Sequence, residues 1–346
     1  MKLSRREFSF WGAASAGSLL LARNAQAATT ITVNGSGGSL AKAIEDLYNQ
    51  PFTARTGIEV RSTAPTSLPK LKAMIETGNM EWDLTEMTGD DLIQAARNGW
   101  LSEIDWSVVD PKSQLPAVAK QKFAMVTATF STVMAYRTDK FGGRAPQSWA
   151  DFWDVKKFPG GRALQDSPVH NLEFALLADG VSKDKLYPID VDRAFRKLDQ
   201  IKPHVVTWWA TGAQQVQLLL DGEVTMGTVW NGRVAPLKRE NKPVEISWEG
   251  GALQPSFWAI PKGAKHPREA MMYMNGRLDV DKAVEFLKLS PYPGFTPGLM
   301  EKVPVDVART LPTYPENLAK QYNYSPEFWA DNRAALTQRW NAWLLK

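Results

Sequence analysis

The sequence predicts an α/β protein built as two lobes, and three observations carry that expectation. Strand-like and helix-like runs alternate along the chain, which favours a mostly parallel sheet flanked by helices. Without its first 27 residues the 346-residue chain keeps 319, more than the roughly 250 to 300 at which one hydrophobic core tends to split in two. A β-rich run from Phe123 to Arg137 is long enough to leave one sheet and enter another. There is no cysteine, so packing alone must hold the fold together.

The elements follow in order. Thr30-Ile31-Thr32-Val33 reads as a strand that enters the loop Asn34-Gly35-Ser36-Gly37-Gly38-Ser39. Leu40, Ile44, Leu47 and Tyr48 then recur at helical spacing, and Thr56-Gly57 supplies a stop. Ile58 to Ser62 is the second strand and Leu68 to Thr77 the next helix, closed by Gly78. Trp82 to Met87 is a short buried strand, with Thr88 placed to cap a helix from Gly89 to Asn98 and Asp91 in its first turn. A second series begins near Ala163, with helices at about Leu172 to Leu177, Val191 to Ile201 and Gly212 to Asp221, and a strand from Val224 to Trp230. Ser256 to Pro261 is again a strand, and the remainder is mostly helical. No repeat or flexible tether separates the two series.

The first residues form an export leader. Met1-Lys2-Leu3-Ser4-Arg5-Arg6-Glu7-Phe8 is charged, Phe10 to Leu21 is uncharged and apolar or small, and Ala25-Gln26-Ala27 is a small-x-small cleavage site. The paired arginines suggest the twin-arginine route. The apolar stretch is shorter than the roughly 20 residues a spanning helix needs, so cleavage after Ala27 and a soluble periplasmic protein are expected. The leader holds four of the 41 basic residues and one of the 37 acidic ones. The remaining 37 and 36 nearly balance, so the basic pI is mostly an address label and no nucleic-acid partner is implied.

Catalytic signatures are scarce. His170, His204 and His266 are the only histidines and lack metal-ligand spacing. No nucleophile elbow or Walker loop is present, so neither a metal nor a cofactor is implied. The glycine loop at Gly37-Gly38 follows a strand and opens a helix, where backbone can approach a small ligand or simply turn. It lacks the third glycine and the downstream acid of a dinucleotide fingerprint. Fourteen tryptophans are present; such side chains fill cores or line clefts for cations, sugar faces and flat ligands. Trp230 ends a strand and runs straight into Asn231-Gly232-Arg233, the place where side chains meet the crevice of an α/β sheet. Arg233 there can clamp a carboxylate or lie solvated at the surface. Asp166 with Ser167 stands at a strand-to-helix junction, where it can cap the helix or bind ligand.

Taken together, the order of features resembles the extracellular solute-binding proteins of the spermidine/putrescine-binding type, which serve ATP-driven importers. The matching passages are Trp82-Asp83-Leu84, the crossing segment Thr127 to Tyr136, Ser148-Trp149-Ala150-Asp151-Phe152-Trp153, Phe158-Pro159-Gly160-Gly161, and Asp221-Gly222-Glu223-Val224 leading to Met226-Gly227-Thr228-Val229-Trp230-Asn231-Gly232. Glu249-Gly250-Gly251, Ala259-Ile260-Pro261 and Pro291-Tyr292-Pro293 complete the series. The resemblance implies the two-lobed type II periplasmic-binding fold, each lobe a central mixed sheet flanked by helices, with the ligand cleft between lobes. It divides the chain into residues 28–133 plus about 257–310 as one lobe, 134–256 as the other, and 311–346 as C-terminal helices packing on both.

It also implies a binding site that can be checked by position. Trp230, Thr88 and Tyr292 match family site positions, and Asp166 corresponds to a family acid. Polyamine binders carry an aromatic and an acid in the first glycine loop, and a tryptophan and an aspartate after Gly250-Gly251. This chain has Gly37 and Gly38 in the one place and Gln254-Pro255-Ser256 in the other. Unpaired buried ammonium groups are costly, so the lost carboxylates and the added Arg233 favour a small organic anion or a zwitterion, amino-acid-like or opine-like. The expected site is therefore Gly37, Gly38, Thr88, Asp166, Trp230, Arg233, Gln254, Ser256 and Tyr292. Its partners are a small-molecule ligand and the permease subunits of an ABC transporter, with the protein a monomer. The alternatives are polyamine binding, a secreted hydrolase working through Asp90, Asp91 and Asp166, and a carbohydrate-binding module resting on the tryptophans.

Overall fold

The computed structural model describes residues 29–35, 37 and 40–346; the expected leader and cleavage site, and Gly38, lie outside them. Ten strands are present among the described residues: β1 Thr30–Asn34, β2 Glu59–Thr63, β3 Leu84–Thr88, β4 Leu101–Ser102, β5 Ala124–Arg137, β6 Arg162–Gln165, β7 Val205–Trp209, β8 Met226–Trp230, β9 Val244–Pro261 and β10 Tyr322–Asn323. Eight of them run in the order β2-β1-β3-β9-β5-β8-β6-β7, with β4 and β10 pairing β9 to the side.

At one end β2, β1 and β3 are parallel, and at the other β8, β6 and β7 are parallel. Antiparallel β5 and β9 run between the two ends. Their pairing extends from Ala124↔Ala259 to Arg137↔Val244, with register shifts at Val126/Ala128 and Thr132/Met134. The first half of β5 thus faces the β3 end and its second half faces β8. Such irregularities bend and re-aim a strand, which lets one pair of strands serve both ends of the sheet.

Local chemistry accounts for the element ends. Ser67, Ser148, Asp190, Thr211 and Ser325 each accept a backbone N–H in the first turn of the helix that follows, satisfying one of the donors a helix start leaves open. The helical run 41–56 holds a π-helical stretch at Glu45–Asn49 and stops at Gly57, whose φ of 73° only glycine adopts freely. β1 is buried along almost its whole length, as strands covered on both faces are.

Each end of the sheet has its own apolar core. One gathers Ile31, Phe52, Leu84, Trp258, Met274 and their neighbours; the other gathers Trp149, Phe152, Phe158, Phe174, Leu198 and Trp340. The fully buried Arg162 donates to the carbonyls of Phe152, Phe158 and Gly160 in the second; burial lowers its guanidinium to about 10.

The C-terminal helix, Pro326–Leu344, touches both ends. Arg333 pairs with Asp90 at 2.7 Å and Asp91 at 2.9 Å, both on the helix Gly89–Arg97 after β3. On the other side the indoles of Trp329, Trp340 and Trp343 donate to Glu173, Asp166 and Asp199.

One sequence expectation is corrected here. The strand expected at Ser256 begins at Val244 and is 18 residues long, because its Gly250, Gly251 and Pro255 break the sequence pattern while bulges and cross-strand pairing accommodate them. Trp208 and Trp209 close β7, where Trp209 is fully buried and donates to Thr228 Oγ1 at 3.1 Å.

Candidate functional site

The carboxyl ends of β1, β3 and β8 converge on a cavity of about 540 Å³ between the two ends of the sheet. Open α/β sheets bind ligands beyond the carboxyl ends of their strands. Gly35 and Gly37 follow β1, Glu86 and Thr88 end β3, Trp230 ends β8 and Arg233 lies one turn beyond it; all line the cavity, with Phe130 of β5, Ser256 of β9 and Tyr292.

Trp230 and its turn are held firmly. The Trp230 N–H donates to Gln215 Oε1 at 2.5 Å, and the rings of Trp230 and Trp209 meet edge to face at 5.8 Å. Asn231, buried, accepts from the Ser131 N–H at 2.9 Å and donates to Pro291 O at 3.1 Å, which ties the turn to β5 and to the segment carrying Tyr292. A Cβ on Gly232 would lie 2.4 Å from Tyr292 Cζ, so only glycine lets the ring lie against this backbone. Phe130 meets Tyr292 edge to face at 6.1 Å.

Arg233 is buried, stands 5.8 Å from the Trp230 ring and donates to Gly37 O at 3.3 Å, across the two ends of the sheet. Glu86 accepts from Ser256 Oγ at 2.7 Å, and a Cβ on Gly35 would lie 3.5 Å from its other oxygen. Desolvation pushes the Tyr292 hydroxyl above its ordinary range; Arg233 opposes that rise and Glu86 adds to it. One cavity therefore presents a guanidinium, a carboxylate and aromatic walls together. Such a set can hold a small molecule of mixed charge without activating a nucleophile. Among the described residues, no three His, Asp or Glu side chains converge in a way that could hold a metal ion.

Of the residues singled out in the sequence, Gly37, Thr88, Trp230, Arg233, Ser256 and Tyr292 line this cavity. Asp166 and Gln254 do not. Asp166 is exposed and its carboxylate accepts from Trp340 Nε1 at 3.0 Å. Gln254 is buried, and its amide is taken up elsewhere, with its Nε2 3.0 Å from His170 Nε2. Thr88 begins its helix without capping it through its side chain; its hydroxyl donates to Asp90 Oδ1 at 2.6 Å. Sequence reasoning missed Glu86. The available signal was an ionisable residue inside the short buried run Leu84 to Met87, where charge is rarely placed without a task.

A description of bacterial extracellular solute-binding proteins matches residues 48–313. The chain belongs to that family. This solute-binding protein is 36% identical over 332 residues to the gamma-aminobutyric acid-binding protein of Pseudomonas aeruginosa, covering 94% of each chain. A solved GABA receptor is 33% identical with a TM-score of 0.81, over 91% of this chain and 98% of that one. The binding protein AgtB of A. tumefaciens R10, solved with agropinic acid, is 29% identical with a TM-score of 0.84, over 91% and 99%. The solute-binding protein shares their mixed sheet flanked by helices, and no helix among its described residues is long and apolar enough to cross a membrane.

Proposed function

We propose that this solute-binding component of an ABC importer takes a small amino-acid-like zwitterion or organic anion in the cavity between β3 and β8, and releases it to the permease unchanged. The observation that carries the reading is the pairing of Arg233 and Glu86 in one aromatic-walled cavity. A planar guanidinium suits a ligand carboxylate and Glu86 suits an ammonium group, with Trp230, Phe130 and Tyr292 around the carbons between. Gly37, Thr88 and Ser256 add backbone and hydroxyl contacts. One carboxylate beside a guanidinium is poor compensation for a polyamine. The relatives that bind gamma-aminobutyric acid and agropinic acid support the same ligand class.

In this reading residues 28–133 with about 257–310 move against 134–256 about β5 and β9, and the ligand is gripped from both sides. The leader directs twin-arginine export and is cleaved after Ala27, leaving a monomeric periplasmic receptor with no catalytic role and no nucleic-acid partner. Its docking partner is the permease.

The test is thermal unfolding of chain 28–346 with gamma-aminobutyric acid, other amino acids, organic acids, putrescine and sugars. A ligand at about a hundredfold excess over Kd stabilises the fold by about 2.7 kcal/mol. Stabilisation by a carboxylate-bearing solute, lost in Arg233→Met, is expected. Stabilisation by putrescine alone overturns the reading.

A further inference from the structure

The cavity does not end at Glu86 and Arg233. It continues inward between the helical run 41–56, the helix Val280–Leu289 and the face of β9, past Leu40, Ile44 and Leu287, to Arg277. At about 30 Å³ per water-sized group, 540 Å³ is room for about 18 of them, whereas gamma-aminobutyric acid has about seven non-hydrogen atoms.

Arg277 is set at this inner end by its neighbours. It follows the last turn of the helix Pro267–Gly276, a position that favours a cation. Its guanidinium carbon lies 3.6 Å from the ring centre of Tyr48, 5.1 Å from that of Trp258 and 5.7 Å from that of Phe286. Those rings fix its plane and the Tyr273 hydroxyl accepts a hydrogen bond from the guanidinium, yet Nη1 is buried and has no hydrogen-bond partner. Asp279 and Glu45 act on the neighbouring Tyr48 and Tyr273 hydroxyls, yet among the described residues neither forms an ion pair with Arg277. A buried donor left unpaired is costly and calls for an explanation. Cation–π stacking and helix capping account for where Arg277 sits, but neither satisfies Nη1.

We propose that Arg277 is a second anion subsite, so that the protein prefers an amino-acid-like ligand carrying a further carboxylate at the end of a short apolar chain. This deepens the reading of the cavity as an amino-acid site and rests on it. Ser256 and Trp258 both line the cavity; they lie two residues apart on one face of β9, so their backbone positions are about 7 Å apart along the strand. That is the reach of a short alkyl chain, and the apolar lining between the two charged ends suits one. A carboxylate there takes a charge-assisted hydrogen bond from Nη1 in a largely desolvated place, where such bonds are strongest.

Calorimetric titration of chain 28–346 decides it with three probes. Norleucine and alpha-aminoadipic acid share head group and length and differ by the terminal carboxylate; gamma-aminobutyric acid probes the head site alone. Alpha-aminoadipic acid is expected to bind roughly tenfold or more tighter than norleucine. Arg277→Gln is expected to erase that advantage, and Arg277→Lys to restore part of it, with melting curves confirming that both variants fold. Binding of gamma-aminobutyric acid with no advantage for the dicarboxylate overturns this inference alone. A uniform loss for every bound probe in Arg277→Gln also overturns it, since that is the signature of a packing role. Failure of all three probes overturns both readings.

Discussion

Tyr292 lies against bare backbone at Gly232, and this close approach sets the aromatic wall it forms with Phe130. Gly232→Ala places a methyl group 2.4 Å from Tyr292 Cζ and 2.8 Å from Ser290 Oγ, and the ring must give way because the backbone cannot. Overpacking of this kind costs about 1–3 kcal/mol. Ligand affinity is expected to fall roughly tenfold or more, while the melting temperature drops by about 2–6 °C; unchanged affinity in a titration would show that the ring position does not matter. Glu173 offers a second residue-scale prediction. Burial raises its carboxyl to about 7, although Tyr187 Oη and Trp329 Nε1 both donate to Oε1 and pull it down. A group raised in this way keeps its proton in the fold after the unfolded chain has lost it, so stability falls as pH rises from about 4.5 through about 7. Glu173→Gln keeps the shared acceptor and cannot ionise. Its stability relative to the wild type is expected to grow by about 1.4 kcal/mol per pH unit across that window and to stay flat outside it, as measured by urea unfolding. Buried His170 has the opposite sign, held down at about 3, but it is common to both proteins and cancels from the comparison.

At the scale of elements, what the sequence made legible is what local chemistry decides. The β1-to-β3 units were readable because β-branched runs alternate with amphipathic ones and glycines close the helices at Gly57 and Gly78. Trp230 and Arg233 were readable because a strand runs into a turn there. The first half of β9 was hidden by Gly250, Gly251 and Pro255, which discourage a strand locally, while pairing with β5 residues more than a hundred positions away holds the strand on either side of the glycines. β6 and β7 were hidden because each is a short strand lying among stronger helical patterns after Ala163. Glu86 and Arg277 were hidden for a different reason. Each is an ordinary charged residue in its own stretch, and only tertiary packing brings them to one cavity. Asp166 shows the converse, a junction acid whose partner, Trp340, comes from the far C-terminal helix.

For the whole molecule, the helix Pro326–Leu344 joins the two ends of the sheet through polar contacts as well as packing. Asp90 is almost fully buried and relies on Arg333 and the Thr88 hydroxyl. Removing the arginine strands that carboxylate. Because Arg333 is itself partly exposed, Arg333→Met is expected to cost about 2–3 kcal/mol, less than the loss of a fully buried pair. Chemical denaturation measures this directly, and a cost near zero would mean that water replaces the guanidinium at Asp90.

The same helix has a consequence for how affinity can change over generations. On the closure reading, a receptor binds with its intrinsic constant divided by the fraction of time it spends in the competent arrangement. A brace anchored at Asp90 and Asp91 on one side and at Asp166, Glu173 and Asp199 on the other sets that fraction from outside the cavity. Substitutions along residues 326–344 can then strengthen or weaken capture of every ligand together, while the selectivity written by Glu86, Arg233 and Arg277 stays as it is. Potency and choice of solute become separately adjustable traits, carried on different parts of one chain.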